Sequence, residues 1–195
     1  ARVWAVVKAN AYGHGIERAY EGLRGADGFA LLDLAEAQRI RQLGWRGPIL
    51  LLEGVFDPRD LELCSRLGLW HTIHSDEQIH MLAGHKTLQP HKVFLKLNSG
   101  MHRLGFAPER FRAAYARLQA LPQVEDIGLM THFATADVAV PGTATAWQAF
   151  QQATDELPGE RSVCNSAALL RHQPLPDLLL QEGLSEALLG PARLR

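Results

Sequence analysis

Lys8 closes an apolar run, Val3-Trp-Ala-Val-Val7, and leads into Ala-Asn-Ala-Tyr12-Gly-His-Gly15. An amine at the end of a buried strand is partly desolvated, which lowers its pKa and frees it to form a Schiff base or act as a general base. A strand-end lysine that snorkels to water is the plain alternative. The loop weighs against it. Tyr12 brings a phenol, and Gly13 and Gly15 flank His14, so backbone N–H groups approach an anion closely. An amine beside an anion cradle is what a phosphate-bearing aldehyde cofactor needs.

Three more segments carry groups of the right kind. Lys96-Leu-Asn-Ser-Gly-Met-His-Arg103-Leu-Gly-Phe106 sets two cations around a glycine-rich turn. The planar fork of Arg103 suits a carboxylate or phenolate oxygen, and a solvated loop cation is the bland alternative. Strand alternation puts Val93, Leu95 and Leu97 on one face and Phe94, Lys96 and Asn98 on the other. Lys96 therefore faces either a barrel interior or the helices, and needs a partner in both. His132, in Leu-Met-Thr-His-Phe133, reads as a hydrogen-bonded core histidine whose task is to orient a neighbour. Asn165 and Ser166 stand before a helix predicted from Ala167, where they suit a helix N-cap, or a phosphate site if that helix follows a seventh barrel strand.

Other chemistries lack their residues. His71 and His74 fall on opposite faces of a strand, His80 and His85 are five apart, and no HExxH occurs, so no metal site is expected. Serine-nucleophile patterns such as G-x-S-x-G are absent. Cys64 and Cys164 have no CxxC spacing, which excludes a disulfide framework and a zinc ribbon.

The elements that must position these groups follow from pattern. The 195 residues are 47% hydrophobic and 21% charged with a net charge of −1, and no Lys/Arg tract points to nucleic acid or an anionic membrane. Apolar runs such as Pro48–Leu52 and Leu178–Leu180 fall far short of the roughly 18–20 residues a membrane helix needs. A cytoplasmic location is the expectation. Ala1 opens directly into a strand pattern, which reads as a cut end rather than a signal peptide. Strands are predicted at Val3–Lys8, Gly28–Asp33, Pro48–Leu52, Trp70–His74, Lys92–Asn98, Val124–His132 and Ser162–Asn165. Helices should begin near Gly15, Ala35, Pro58, Asp76, Pro108, Thr143 and Ala167. This alternation is an α/β chain with a parallel sheet. With no G-x-G-x-x-G after the first strand, a TIM-type (β/α)8 barrel fits better than an open doubly wound sheet, and its functional groups should sit at strand C-termini.

These segments together resemble a known family. The run Ala5-Val-Val-Lys-Ala-Asn-Ala-Tyr-Gly-His-Gly15 resembles the cofactor-lysine signature of alanine racemases, most like the bacterial catabolic branch. Lys96–Phe106 resembles the family's K-x-[DN]-[ST]-G-M-x-R-L-G segment, Met130–Phe133 its M-[ST]-H-F and Asn165–Ala167 its N-S-[AG] phosphate loop. The resemblance implies an N-terminal barrel domain over residues 1–172 and pyridoxal 5'-phosphate as cofactor. It implies that Lys8 holds the cofactor as an internal aldimine and exchanges the α-proton on the D-alanine face. Tyr12 and Ser166, with Asn165, would cradle the phosphate, Arg103 would bind the phenolic oxygen and the substrate carboxylate, and His132 would support the pyridine side. It further implies that Lys96 is carbamylated and positions Arg103.

The same resemblance marks what is missing. The family's R-P-G-x-x-L-Y-G segment, its eighth strand, does not follow Asn165-Ser-Ala. Residues 173–195 form an atypical tail, so the barrel is expected to be incomplete, with about seven β/α units. The family's second base, a tyrosine from a C-terminal β domain supplied across a homodimer, has no match. The chain is thus expected to be inactive alone. A non-catalytic pyridoxal phosphate-binding barrel is the alternative, but such proteins lack the Y-G-H-G loop and the K-x-N-S-G-M-x-R-L-G run.

Overall fold

The computed structural model describes residues 2–87, 89–138 and 142–171. Seven strands, β1 (Trp4–Val6), β2 (Gly28–Leu31), β3 (Ile49–Leu51), β4 (Trp70–Ile73), β5 (His91–Lys96), β6 (Val124–Met130) and β7 (Arg161–Ser162), pair in chain order. Every pairing is parallel, as Trp4↔Gly28 and Met130↔Ser162 illustrate. The helical segments are α1 (Lys8–Tyr12), α2 (Ile16–Leu23), α3 (Leu34–Gln42), α4 (Asp60–Leu67), α5 (Asp76–Gly84), α6 (Pro108–Gln119), α7 (Gly142–Thr154) and α8 (Ser166–Arg171). This is an incomplete (β/α)8 barrel, a curled sheet of seven strands backed by helices. The tail expected from residue 173 lies outside the described residues. Among the described residues no helix is long and apolar enough to cross a membrane, and no group of three ligating side chains could hold a metal ion.

Strand alternation sorts the side chains into two layers. Phe29, Leu31, Ile49, Leu51, Ile73, Val93 and Leu95 point outward and are buried under the helices. Ala30, Leu50, Phe94 and Met130 point inward, packed with Trp4, Leu52 and Trp70. The indoles of Trp4 and Trp70 meet edge to face at 5.5 Å, and Trp4 meets Phe94 the same way at 6.3 Å. These aromatics fill the lower barrel. Gly128 makes room for them, since a Cβ there would stand 2.4 Å from the Phe94 ring.

Several strands are shorter than their sequence pattern. β1 ends at Val6 rather than Lys8: the Val7 N–H still donates to Ala30 O at 2.8 Å, and the chain then coils into α1. β6 stops at Met130 rather than His132, and β7 is Arg161–Ser162 rather than Ser162–Asn165; Thr131, His132, Cys164 and Asn165, just beyond these strands, line a cavity.

The outer layer holds one costly feature. His71 on β4 is fully buried between Leu51 and Val93, with its ring edge-on to that of His91 at 5.1 Å, and His91 lies 5.4 Å from His85. Neither ring nitrogen of His71 has a hydrogen-bond partner. Burial, reinforced by the neighbouring imidazoles, pushes His71 down to about 3 and His91 down to about 4. The unfolded chain, titrating near 6.5, binds more protons than the folded one below that pH. Stability is therefore complete above pH ~6.5 and falls as the pH drops toward 4. Between pH 7 and pH 5 the pair should cost about 3 to 4 kcal/mol. Urea unfolding at the two pH values checks this, and His71→Phe should remove roughly half of the loss.

Candidate functional site

Above the aromatic floor, at the C-terminal ends of the strands, lies a cavity of ≈ 360 Å³. Lys8, Tyr12, Lys96, Arg103, His132, Asn165 and Ser166 all line it. Every residue singled out from sequence is thus brought to one place, at the end of the barrel where such sites form.

Lys8 and Tyr12 owe their positions to an unusual backbone. Ala9, Asn10, Ala11 and Tyr12 have φ of 53°, 52°, 55° and 54°, so α1 is a left-handed turn. For non-glycine residues that conformation costs roughly 1–2 kcal/mol each. Local bonds offset part of the cost: the Ala11 N–H donates to Val7 O at 2.8 Å and the Gly13 N–H to Ala9 O at 3.0 Å. Asn10 closes the far side, its carbonyl accepting from the Gly15 N–H and its Oδ1 from the Ile16 N–H, both at 3.0 Å. The coil turns Lys8 into the cavity, with its ammonium 5.9 Å from the centroid of the Tyr12 ring. Tyr12 itself is 61% exposed at the rim.

Arg103 rides on the loop between β5 and α6, which is closed at its base and braced at its tip. The Asn98 N–H donates to Phe106 O and the Phe106 N–H to Lys96 O, both at 2.9 Å. Asn98 Oδ1 accepts from the N–H groups of Gly100 at 3.1 Å and His102 at 3.0 Å. A hydroxyl relay joins the loop to the end of β6. Thr131 Oγ1 donates to Leu97 O at 3.1 Å, which leaves it to accept from Ser99 Oγ at 2.6 Å.

Lys96 is 7% exposed and points into the barrel with Phe94. That settles the choice between interior and helices. Burial, then the nearby charges of Lys96, Arg103 and Lys8, push His132 down to about 4, so it is a neutral imidazole at neutral pH. The cavity is basic: three cations line it, and Glu53 is its carboxylate among the described residues. Such a lining suits a ligand with a phosphate and a carboxylate.

Asn165 and Ser166 differ in availability. Asn165 Oδ1 caps α8 by accepting from the Ala168 N–H at 2.9 Å, and its Nδ2 donates to Phe133 O at 3.0 Å. The capping role weighed from sequence is therefore real for Asn165. Ser166 at the cavity edge is exposed. Sequence reading missed Ser162, 2% exposed on β7, whose Oγ borders the cavity without a partner. Pairing of Met130 with Ser162 puts both on the inner face, a parity visible in the chain only once strand seven is registered correctly. Cys164 also lines the wall.

Comparison with known proteins agrees with this geometry. The family model described as alanine racemase, N-terminal domain, matches residues 1–182. Curated alanine racemases from Variovorax paradoxus and an Acidovorax species are 75% and 74% identical over 172 residues, 88% of this chain and 47% of each relative. The chain thus spans about half the length of the curated relatives it matches. The biosynthetic alanine racemase from Pseudomonas aeruginosa superposes with a TM-score of 0.85 at 41% identity, covering 91% of this chain and 49% of that one. The enzyme from Acinetobacter baumannii gives 0.83 at 33% identity, covering 93% and 54%. With the barrel, the cavity and the matched sequence in accord, the chain belongs to the alanine racemase N-terminal domain family.

Proposed function

We propose that this chain carries the pyridoxal 5'-phosphate site of an alanine racemase, with Lys8 as covalent anchor and as the base on one face of the substrate. The observation that carries this is the convergence of a lysine, a phenol, a serine hydroxyl and further cations on one cavity above an apolar floor. The residues fit the cofactor: a basic lining for its anionic groups, aromatic and aliphatic surface for its ring, and the orphaned Ser162 hydroxyl as an unspent polar contact.

When bound, pyridoxal phosphate supplies an electron sink for negative charge developing at the substrate's Cα. The protein's part is position and proton movement. Lys8 would hold the cofactor at its aldehyde carbon, and its Nζ would move the Cα proton on the D-alanine face. The hydroxyls of Tyr12 and Ser166 hold the phosphate, while Asn165 fixes the start of α8 beside it. Arg103 clamps the substrate carboxylate, and carbamylation would turn Lys96 from the cavity's third cation into a carboxylate that holds that guanidinium in register, leaving Lys8 and Arg103 as the positive groups. Neutral His132 orients the pyridine side without adding charge.

Inversion needs a second proton-transferring group on the opposite face of Cα. We assign it to a segment beyond residues 1–172 in the whole protein, supplied within a homodimer. The 195-residue chain loaded with cofactor should accordingly leave D-alanine optically unchanged, and polarimetry showing rapid racemisation would refute that assignment. Binding is tested by titrating the chain with pyridoxal phosphate, reducing with borohydride and mapping the modified peptide. The label should fall on Lys8, and a label spread over surface lysines would defeat the reading.

A further inference from the structure

Something must hold α1 in its left-handed coil, because the bonds within residues 7–16 would not by themselves exclude a right-handed course. Helix α3 supplies a contact from outside. Asp33 caps that helix, its Oδ1 accepting from the N–H groups of Ala35 at 2.6 Å and Glu36 at 3.3 Å. Asp33-x-x-Glu36 has the spacing of a capping box, in which the glutamate would turn back to accept the N–H of its own cap. Glu36 does not do this. Its Oε1 accepts the Asn10 N–H at 2.5 Å, across 26 residues of sequence. Its Oε2 is buried with no partner, so the carboxylate gives up hydration for that one backbone bond.

We propose that Glu36 is a positioning residue for the cofactor site, holding the strained Ala9–Tyr12 backbone so that Lys8 and Tyr12 face the barrel mouth. It touches neither lysine nor phenol in this role. It acts on Asn10, the middle of the turn, whose carbonyl and side chain already secure Gly15 and Ile16. One carboxylate on α3 therefore couples the first two β/α units at a run of four non-glycine residues with positive φ. A structural capping role would stabilise α3 and leave the cofactor site indifferent to the glutamate.

This inference rests on the cofactor reading for one of its arms only. Hydrogen exchange at the Asn10 amide, read in the cofactor-free chain, should accelerate at least tenfold in Glu36→Ala and Glu36→Asp, whose carboxyls are absent or too short. Glu36→Gln, which keeps the Oε1 acceptor, should stay within threefold of the parent. In the second arm, pyridoxal phosphate affinity should fall at least tenfold in the alanine and aspartate variants. Ala9→Gly added to either should restore affinity to within threefold, since glycine adopts φ near +53° without the penalty. The aspartate variant serves if the alanine variant does not fold. Unchanged Asn10 exchange, or affinity loss that Ala9→Gly does not relieve, overturns the proposal. A parent chain that takes up no pyridoxal phosphate defeats the cofactor reading instead, and the exchange arm still decides the role of Glu36.

Discussion

Lys8→Ala is expected to abolish the absorbance band near the visible edge that the proposed pyridoxal phosphate site should give the chain, and to weaken cofactor binding about a hundredfold or more, roughly 3 kcal/mol. The size follows from what is removed. Lys8 is the cation that the left-handed coil delivers to the cavity, and a covalent link to the aldehyde has no substitute among hydrogen bonds. Lys96 is the other lysine in the lining, but it emerges from β5 with Phe94, and its displacement would disturb the wall that carries Arg103. The variant should fold as the parent does, since removing a half-buried lysine leaves the core layers intact. Equal urea midpoints with loss of the band give the expected result; a retained band in Lys8→Ala would show that another amine is the anchor.

Gly105→Ala should be the most damaging single methyl in the Arg103 loop. The φ of Gly105 is +126°, outside the range of side-chain-bearing residues, and a Cβ would stand 2.5 Å from the Asn98 nitrogen and 2.7 Å from the Leu97 carbonyl carbon. Both are backbone atoms and neither swings aside. The Asn98 N–H bond to Phe106 O at 2.9 Å lies at the same point, so strain and a lost bond add. A loss of about 3 kcal/mol is expected, read as a urea midpoint lowered by about 1 M or more. Gly22→Ala on α2 is the control. A Cβ there meets nothing within 4 Å, so alanine should stabilise the helix by about 0.5 to 1 kcal/mol. Equal effects of the two substitutions would mean that the loop base is looser than its contacts indicate.

Residues adjacent in sequence were the legible ones. Lys8 and Tyr12, Lys96 and Arg103, and Asn165 and Ser166 each belong to one strand end and its following turn, so a barrel's rule for strand C-termini sufficed to gather them. Longer-range partners carried no such signal. The Ser99–Thr131 relay joins positions 32 apart and the Glu36–Asn10 bond positions 26 apart, and nothing in either local pattern names the other. The hand of α1 was equally hidden, since a short run of Ala, Asn, Ala and Tyr suits a right-handed turn or a loop, and the left-handed coil exists only because surrounding contacts over-determine it.

The chain by itself determined the alternation of strands and helices, the parallel barrel and the identities of the groups at its mouth, because these follow from periodicity, turn chemistry and short motifs. Only the tertiary structure decided on which side of the sheet each parity set lies. Two alternating sets are equivalent along an isolated strand, and the tie is broken when Trp4, Trp70 and Phe94 fill the barrel, carrying Lys96 inward and sending His71 under the helices. Only the fold, too, brings Glu36, which along the chain reads as half of a helix cap, to the Asn10 N–H 26 residues away.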